Sequence, residues 1–224
     1  CHDMPNCVPI ATQIPHAAGI ASAIRLRGEK RVVLATCGDG ATSRGDFYEA
    51  LNRAGVWHLP LVIVVNNNQW AISVPVSAQT ACQTLAQKAV AAGIPGVRVD
   101  GNDVLALHAV IGEALARARA GKGPVLVEAV TYRLCYHTTA DDMSRYADPL
   151  QRQQAETVEP MRRLQLLLQT VGRCSDEEEI QREQRQAGII DSAIAGFLAD
   201  PAPLPTDMFD FLFASLPDEL LAQR

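Results

Sequence analysis

Across 224 residues the chain carries 20 basic and 25 acidic side chains, a formal net charge of −5. That balance argues against nucleic acid as the main partner, since phosphate binding needs clustered Lys and Arg. Nearly half the chain is apolar, enough for one large domain or for a domain with an appendage. Yet the longest apolar run, Leu59 to Val65, contains a proline and stops at three asparagines, far short of a membrane span. The six cysteines (Cys1, Cys7, Cys37, Cys82, Cys135 and Cys174) include no CxxC pair, so free thiols in a reducing cytoplasm are expected rather than a disulfide framework. The opening CHDMPNCVPIATQ does not read as a natural start, and a missing N-terminal part of a larger subunit is expected.

In chain order, residues 14–29 place small and apolar side chains at helical spacing, suited to close packing on a sheet. Residues 31–37 (RVVLATC) are β-branched and apolar, a buried strand. Residues 43–59 predict a helix with Ser43 as N-cap, and 60–66 (PLVIVVN) a second buried strand. A helix over 82–93, a short strand over 96–101, a helix over 102–121 capped by Asn102 or Asp103, and a strand over 123–133 follow. This alternation without hairpin signals predicts an α/β domain: a parallel sheet with helices on both faces. The polar, aperiodic stretch from 134 to about 150 predicts a loop. Helices follow over 159–172 and 175–201, the latter opened by a Ser175/Glu178 capping box, and then a proline-rich tail. The expected organisation is an α/β domain over 1–150, loop included, with a C-terminal helical extension over 151–224 packed on it.

Two strand ends carry the chemistry. The first strand empties into Gly38-Asp39-Gly40, where glycines let the backbone turn sharply and approach a ligand. Alone this tripeptide is also an ordinary turn. The second strand ends in Asn66-Asn67-Asn68, and three asparagines behind a buried strand are costly unless their amides are used. In open parallel sheets ligands sit beyond the carboxyl ends of strands. An Asp carboxylate, an Asn amide oxygen and a backbone carbonyl suit Mg²⁺ or Ca²⁺, and the helix between the two strands offers its N-terminus to an anion.

A GDG followed 29 positions later by a closing Asn resembles the thiamine-diphosphate motif. GDGATSRGDFYEALNRAGVWHLPLVIVVNNNQWAIS, VRVDGNDV, GKGPVLVEAVTYR and HTTADDMSRY together resemble the α subunit of the E1 component of 2-oxo acid dehydrogenase complexes. The phrasing is most similar to bacterial pyruvate dehydrogenase E1 α, with the branched-chain 2-oxo acid enzyme next. The resemblance implies a thiamine-diphosphate-binding fold. It implies Mg²⁺ held by the side chains of Asp39 and Asn68 and the carbonyl of Trp70, and a diphosphate cradled by Gly38, Gly40 and Ala41. Val8 would meet the aminopyrimidine, Ile10 would wedge between the cofactor rings, and His137 would reach the diphosphate and the reaction centre as the catalytic residue. Asp141, Asp142, Arg145 and Tyr146 match the same loop, which in the family orders on cofactor binding and helps dock the lipoyl domain. At Leu134-Cys135-Tyr136 the chain departs from the family pattern, where a glycine is usual.

The implied activity is oxidative decarboxylation of a small 2-oxo acid, pyruvate first, with transfer of the acyl group to a lipoyl group on the E2 partner in the bacterial cytoplasm. The implied assembly is an α₂β₂ heterotetramer in which the E1 β chain supplies the glutamate that activates the cofactor. Alternatives are a branched-chain or acetoin substrate, or a truncated, non-catalytic subunit that only binds the β chain. A Rossmann-type nucleotide binder ranks last, since no GxGxxG follows a first strand.

Overall fold

The computed structural model describes residue 4, residues 7–210 and residues 213–224. The chain divides into two compact units, Cys1–Leu168 and Gln169–Arg224. In the first, a parallel sheet has the order β1 (Val33–Gly38), β2 (Leu61–Asn67), β6 (Val125–Val130), β5 (Gly96–Asp100). The expected α/β architecture is present.

β2 shows why this sheet is two-faced. Leu61, Ile63 and Val65 point into a core with Ile14, Ala17 and Ala21 of α1 (Gln13–Leu26) and Phe47 and Leu51 of α2 (Gly45–Val56). Val62 and Val64 point the other way, onto Ala114 and Ala118 of α5 (Val104–Arg119). Period-2 alternation with apolar residues on both faces is what a central strand covered twice requires. The small residues of α1 let its axis lie close to the sheet.

Several local details differ from the sequence reading. α2 begins at Gly45 behind Arg44, without a side-chain cap, because Ser43 closes a 3-10 turn over Asp39–Ser43. A two-residue hairpin, β3 (Trp70–Ala71) with β4 (Val74–Pro75), follows β2 and leads into α3 (Val76–Gln79). Its strands are too short to leave a pattern in the sequence. The helix expected over 82–93 is reduced to a 3-10 turn, Leu85–Gln87, running into α4 (Lys88–Ala91). It starts late at a Thr84/Gln87 capping box and ends at Gly93, whose φ is +64°.

Asp103, one of the two proposed caps, does cap α5: its carboxylate accepts from the N–H groups of Leu105 and Ala106, both at 3.0 Å. α6 (Pro149–Thr157) follows the loop, and Arg163 in α7 (Pro160–Thr170) pairs with Asp100 at 2.7 Å. The second unit contains α8 (Asp176–Ala199), opened by the expected Ser175/Glu178 box, and the short α9 (Asp207–Asp210) and α10 (Asp218–Leu221). Among the described residues no helix is long and apolar enough to cross a membrane. The cysteines described, Cys7, Cys37, Cys82, Cys135 and Cys174, are free thiols.

Asp103→Ala removes two hydrogen bonds from the first turn of α5. It is expected to cost about 1 kcal/mol of unfolding free energy, measured by urea titration.

Candidate functional site

Parallel pairing of β1 with β2 sets Gly38 opposite Asn66, so both strands deliver their polar ends to one edge of the sheet. Asp39 follows immediately and is 2% exposed. Its carboxylate accepts from the Gln79 side chain at 2.9 Å, and its carbonyl accepts from the Thr42 hydroxyl at 2.8 Å. Burial pushes the Asp39 carboxyl above its ordinary value. Hydrogen bonds from Gln79 and its own N–H, the nearby Arg133 charge and the Asn68 main-chain N–H pull only partly the other way. Asp39 in turn helps burial lift the Cys37 thiol to about 12, so that sulfur stays protonated and inert. Among the described residues, no ion-pair partner touches the Asp39 carboxylate.

The pairing register sets the two strand tips side by side, while the Asn68 main-chain N–H donates to the Asn66 carbonyl at 3.1 Å. Asn68 Oδ1 also accepts from the Trp70 N–H at 3.0 Å, which bends the chain back over the tip. Between them Gln69 sits at φ +74°, a left-handed conformation that a non-glycine residue holds only under constraint. Asn67 accepts from the Gln69 N–H at 3.2 Å, and it also donates to the buried Glu128 at 2.8 Å. Gly40 needs its lack of a side chain: a Cβ there would lie 2.8 Å from Ala71 Cβ. Ala41 is buried on the 3-10 turn, and the carbonyl of Thr42 in that turn accepts from the buried Lys88 ammonium at 2.8 Å.

The remaining predicted residues lie outside this hydrogen-bonded group. Val8 is 94% and Ile10 60% exposed, on the turn before α1. That turn is tethered near the tip of β1, because the Gln13 side chain donates to the Thr36 carbonyl at 3.0 Å. His137 is exposed, and its main-chain N–H donates to Asp141 at 2.8 Å. The Asp141 carboxylate also accepts from the Tyr146 hydroxyl at 2.6 Å and lies 3.8 Å from Arg133. The His137 N–H first, and then the Tyr146 hydroxyl, hold the Asp141 carboxyl below its ordinary value. Arg133 donates to Tyr146 and to the carbonyl of Ile72, both at 2.6 Å, joining the 134–148 loop to the β3–β4 turn. Asp142 caps the turn Met143–Arg145. Beside these tips a cavity of about 330 Å³ opens at the carboxyl ends of β2, β5 and β6, lined by Asn66, Asn68, Asn102, Tyr132, Arg133 and Glu159 among others.

A protein-family model described as "Dehydrogenase E1 component" matches residues 4–206. The chain belongs to that family. It is 48% identical, over 98% of its length and 60% of the relative's, to the 3-methyl-2-oxobutanoate dehydrogenase subunit alpha of Mycobacterium tuberculosis. It is 41% identical to the pyruvate dehydrogenase E1 component subunit alpha of Bacillus subtilis, over 96% of this chain and 58% of that one. Identity to the corresponding Staphylococcus aureus subunit is 39%, with the same coverage. The chain therefore spans about three fifths of these curated E1 relatives.

Sequence reasoning missed Gln79, Lys88, Glu128 and Arg133. Glu128 left a signal, a lone carboxylate inside the apolar run VLVEAV. Gln79 left none, because only the hairpin brings it to Asp39.

Because its folded-state value is raised, Asp39 contributes stability that is fully present below the ordinary carboxylate value of 3.8 and lost as pH rises through the folded value. At neutral pH, without a cation, the charge is a liability. Asp39→Asn keeps an oxygen for Gln79 and is expected to raise the metal-free melting temperature by a few degrees at pH 7, while abolishing any further rise on adding Mg²⁺.

Proposed function

We propose that this chain is the α subunit of an E1 2-oxo acid dehydrogenase that binds thiamine diphosphate and Mg²⁺ at the tips of β1 and β2. The observation that carries the reading is the buried carboxylate of Asp39, with a neutral side-chain partner and no ion pair among the described residues, at the end of a strand paired in register with the one that leads into Asn68. The donor set fits the group. Asp39 supplies one charged oxygen, and Asn68 Oδ1 keeps a lone pair beyond the one used by Trp70. The Trp70 carbonyl would add a third oxygen ligand, the hard-donor set that Mg²⁺ accepts while keeping room for phosphate and water. Among the described residues no cluster of three His, Cys, Asp or Glu side chains competes as a metal site.

Gly38 and Gly40 would let the backbone approach the diphosphate, with Ala41 completing that cradle. Val8 and Ile10 would face the cofactor rings, and His137 would serve the reacting end. When bound, the cofactor supplies the electron sink for loss of carbon dioxide from a 2-oxo acid. The chain's residues hold the diphosphate, orient the rings and, through the 134–148 loop, restrict water. A β subunit would complete the site in an α₂β₂ assembly, and the lipoyl domain of an E2 protein would take the acyl group. The same loop would offer the face on which that domain docks.

On substrate, identity is higher to the 3-methyl-2-oxobutanoate dehydrogenase relative than to the pyruvate dehydrogenase relatives. That ordering favours a branched-chain 2-oxo acid. Pyruvate, the first expectation from the sequence, is the second reading and rests on the Bacillus and Staphylococcus relatives.

Two experiments test this. Calorimetry on the native assembly is expected to show Mg²⁺-dependent binding of thiamine diphosphate that Asp39→Ala abolishes without unfolding the chain; normal binding by the variant removes the site. Initial rates with an artificial electron acceptor are expected to give a kcat/KM for 3-methyl-2-oxobutanoate at least about tenfold above that for pyruvate, the scale of discrimination one or two methylenes provide. The reverse ratio assigns pyruvate. No Mg²⁺-dependent cofactor heat from the wild-type assembly supports the non-catalytic subunit that only binds the β chain; turnover of neither acid by an assembly that does bind the cofactor leaves acetoin as the substrate to assay.

A further inference from the structure

Glu128 lies in the middle of β6, 1% exposed, on a strand whose neighbours are apolar. A carboxylate there is costly unless it is fully hydrogen-bonded. Its two oxygens are taken by two neutral donors: Asn67 Nδ2 at 2.8 Å and the Ala86 main-chain N–H at 2.9 Å. The cation that pairs with it among the described residues, Arg98, is 3.8 Å away with a half-exposed side chain. The charge is therefore placed to orient an amide rather than to form a close ion pair.

Asn67, so oriented, turns Oδ1 to the Gln69 N–H, and the Gln69 side chain returns to the Asn67 carbonyl at 3.3 Å. These bonds clamp the left-handed bend at Gln69, which strands of this kind do not adopt unaided. Asn68 and Trp70 flank that bend. Taking the divalent-cation site above as given, we infer that Glu128 is its positioning residue: through Asn67 it fixes the Gln69 bend that presents Asn68 and Trp70 to the ion.

The hydrogen-bond pattern gives a specific test. In Glu128→Gln one amide must face two donors with one oxygen, so either Asn67 or Ala86 loses its acceptor; flipping Asn67 only passes the conflict on to Gln69. In the double variant N67D/E128Q each of these hydrogen bonds is restored, and only the 3.8 Å pairing of residue 128 with the half-exposed Arg98 is not. The introduced glutamine accepts from Ala86 through its Oε1 and donates its NH₂ to the introduced aspartate, whose second oxygen accepts from Gln69.

Mn²⁺ binding to the native assembly, followed by electron paramagnetic resonance, is read beside the melting temperature of the metal-free protein. Glu128→Gln is expected to weaken Mn²⁺ binding about 10- to 100-fold, the usual cost of losing a group that orients a metal ligand. The double variant is expected to return to within about threefold of wild type, since the pair acts as one coupled unit. A lowered melting temperature with unchanged Mn²⁺ affinity, or no recovery in the double variant, overturns the assignment. Asn67→Ala cuts the same link from the other side and carries the same expected loss. Wild-type Mn²⁺ affinity in that variant refutes the proposal even if Glu128→Gln fails to fold. Asp39→Ala separates the two levels: if it too binds Mn²⁺ normally, the cation site itself is wrong.

Discussion

A carboxylate buried at the end of a strand, with no cation against it among the described residues, is the constraint around which this site is built. Asp39 sits where β1 leaves the sheet, in a position whose desolvation works against its own ionisation. A fold tolerates such a group when something outside the chain neutralises it. Its surroundings leave the charge uncompensated: glycine on both sides, a neutral amide from Gln79 as its side-chain partner, and beside it the strand end that leads into Asn68.

The two tips are held by separate devices. The turn after β1 is pinned by the Thr42 hydroxyl on the Asp39 carbonyl and by the buried Lys88 ammonium on the Thr42 carbonyl. The turn after β2 is pinned from below by Glu128 and Asn67. Lys88 and Ala86 belong to one short stretch, 85–91, so this segment touches both devices and braces one tip against the other. Arg133 adds a third tie, linking the hairpin after Trp70 to Tyr146 and Asp141 of the loop that carries His137. The hairpin and the loop are thereby fixed to the same sheet edge.

Much of this was legible in the sequence because it is local. Apolar runs bounded by Gly38 and Asn66 read as buried strands, Asp103 and Ser175 announced their helices, and the parallel pairing that sets Gly38 opposite Asn66 followed from two strands separated by one helix. What stayed hidden depends on tertiary approach. Ser43 has the chemistry of a cap, but the 3-10 turn consumes it. Gln79 reaches Asp39 only because a two-residue hairpin reverses the chain. Glu128 was visible as an anomaly in an apolar strand, yet its partners, Asn67 and Ala86, are 61 and 42 residues away in sequence. Val8, Ile10 and His137 were named through the family resemblance, and here they stand exposed around the polar group rather than within it.

The central claim is that the tips of β1 and β2 share one divalent ion. Anomalous scattering from a crystal of the assembly grown with Mn²⁺ and thiamine diphosphate tests it most directly. The account predicts a single strong peak roughly 2.1 Å from both an Asp39 carboxylate oxygen and Asn68 Oδ1, the distance of hard octahedral ligation. A peak elsewhere, with Asp39 still bonded only to Gln79 and its neighbouring N–H groups, would contradict it.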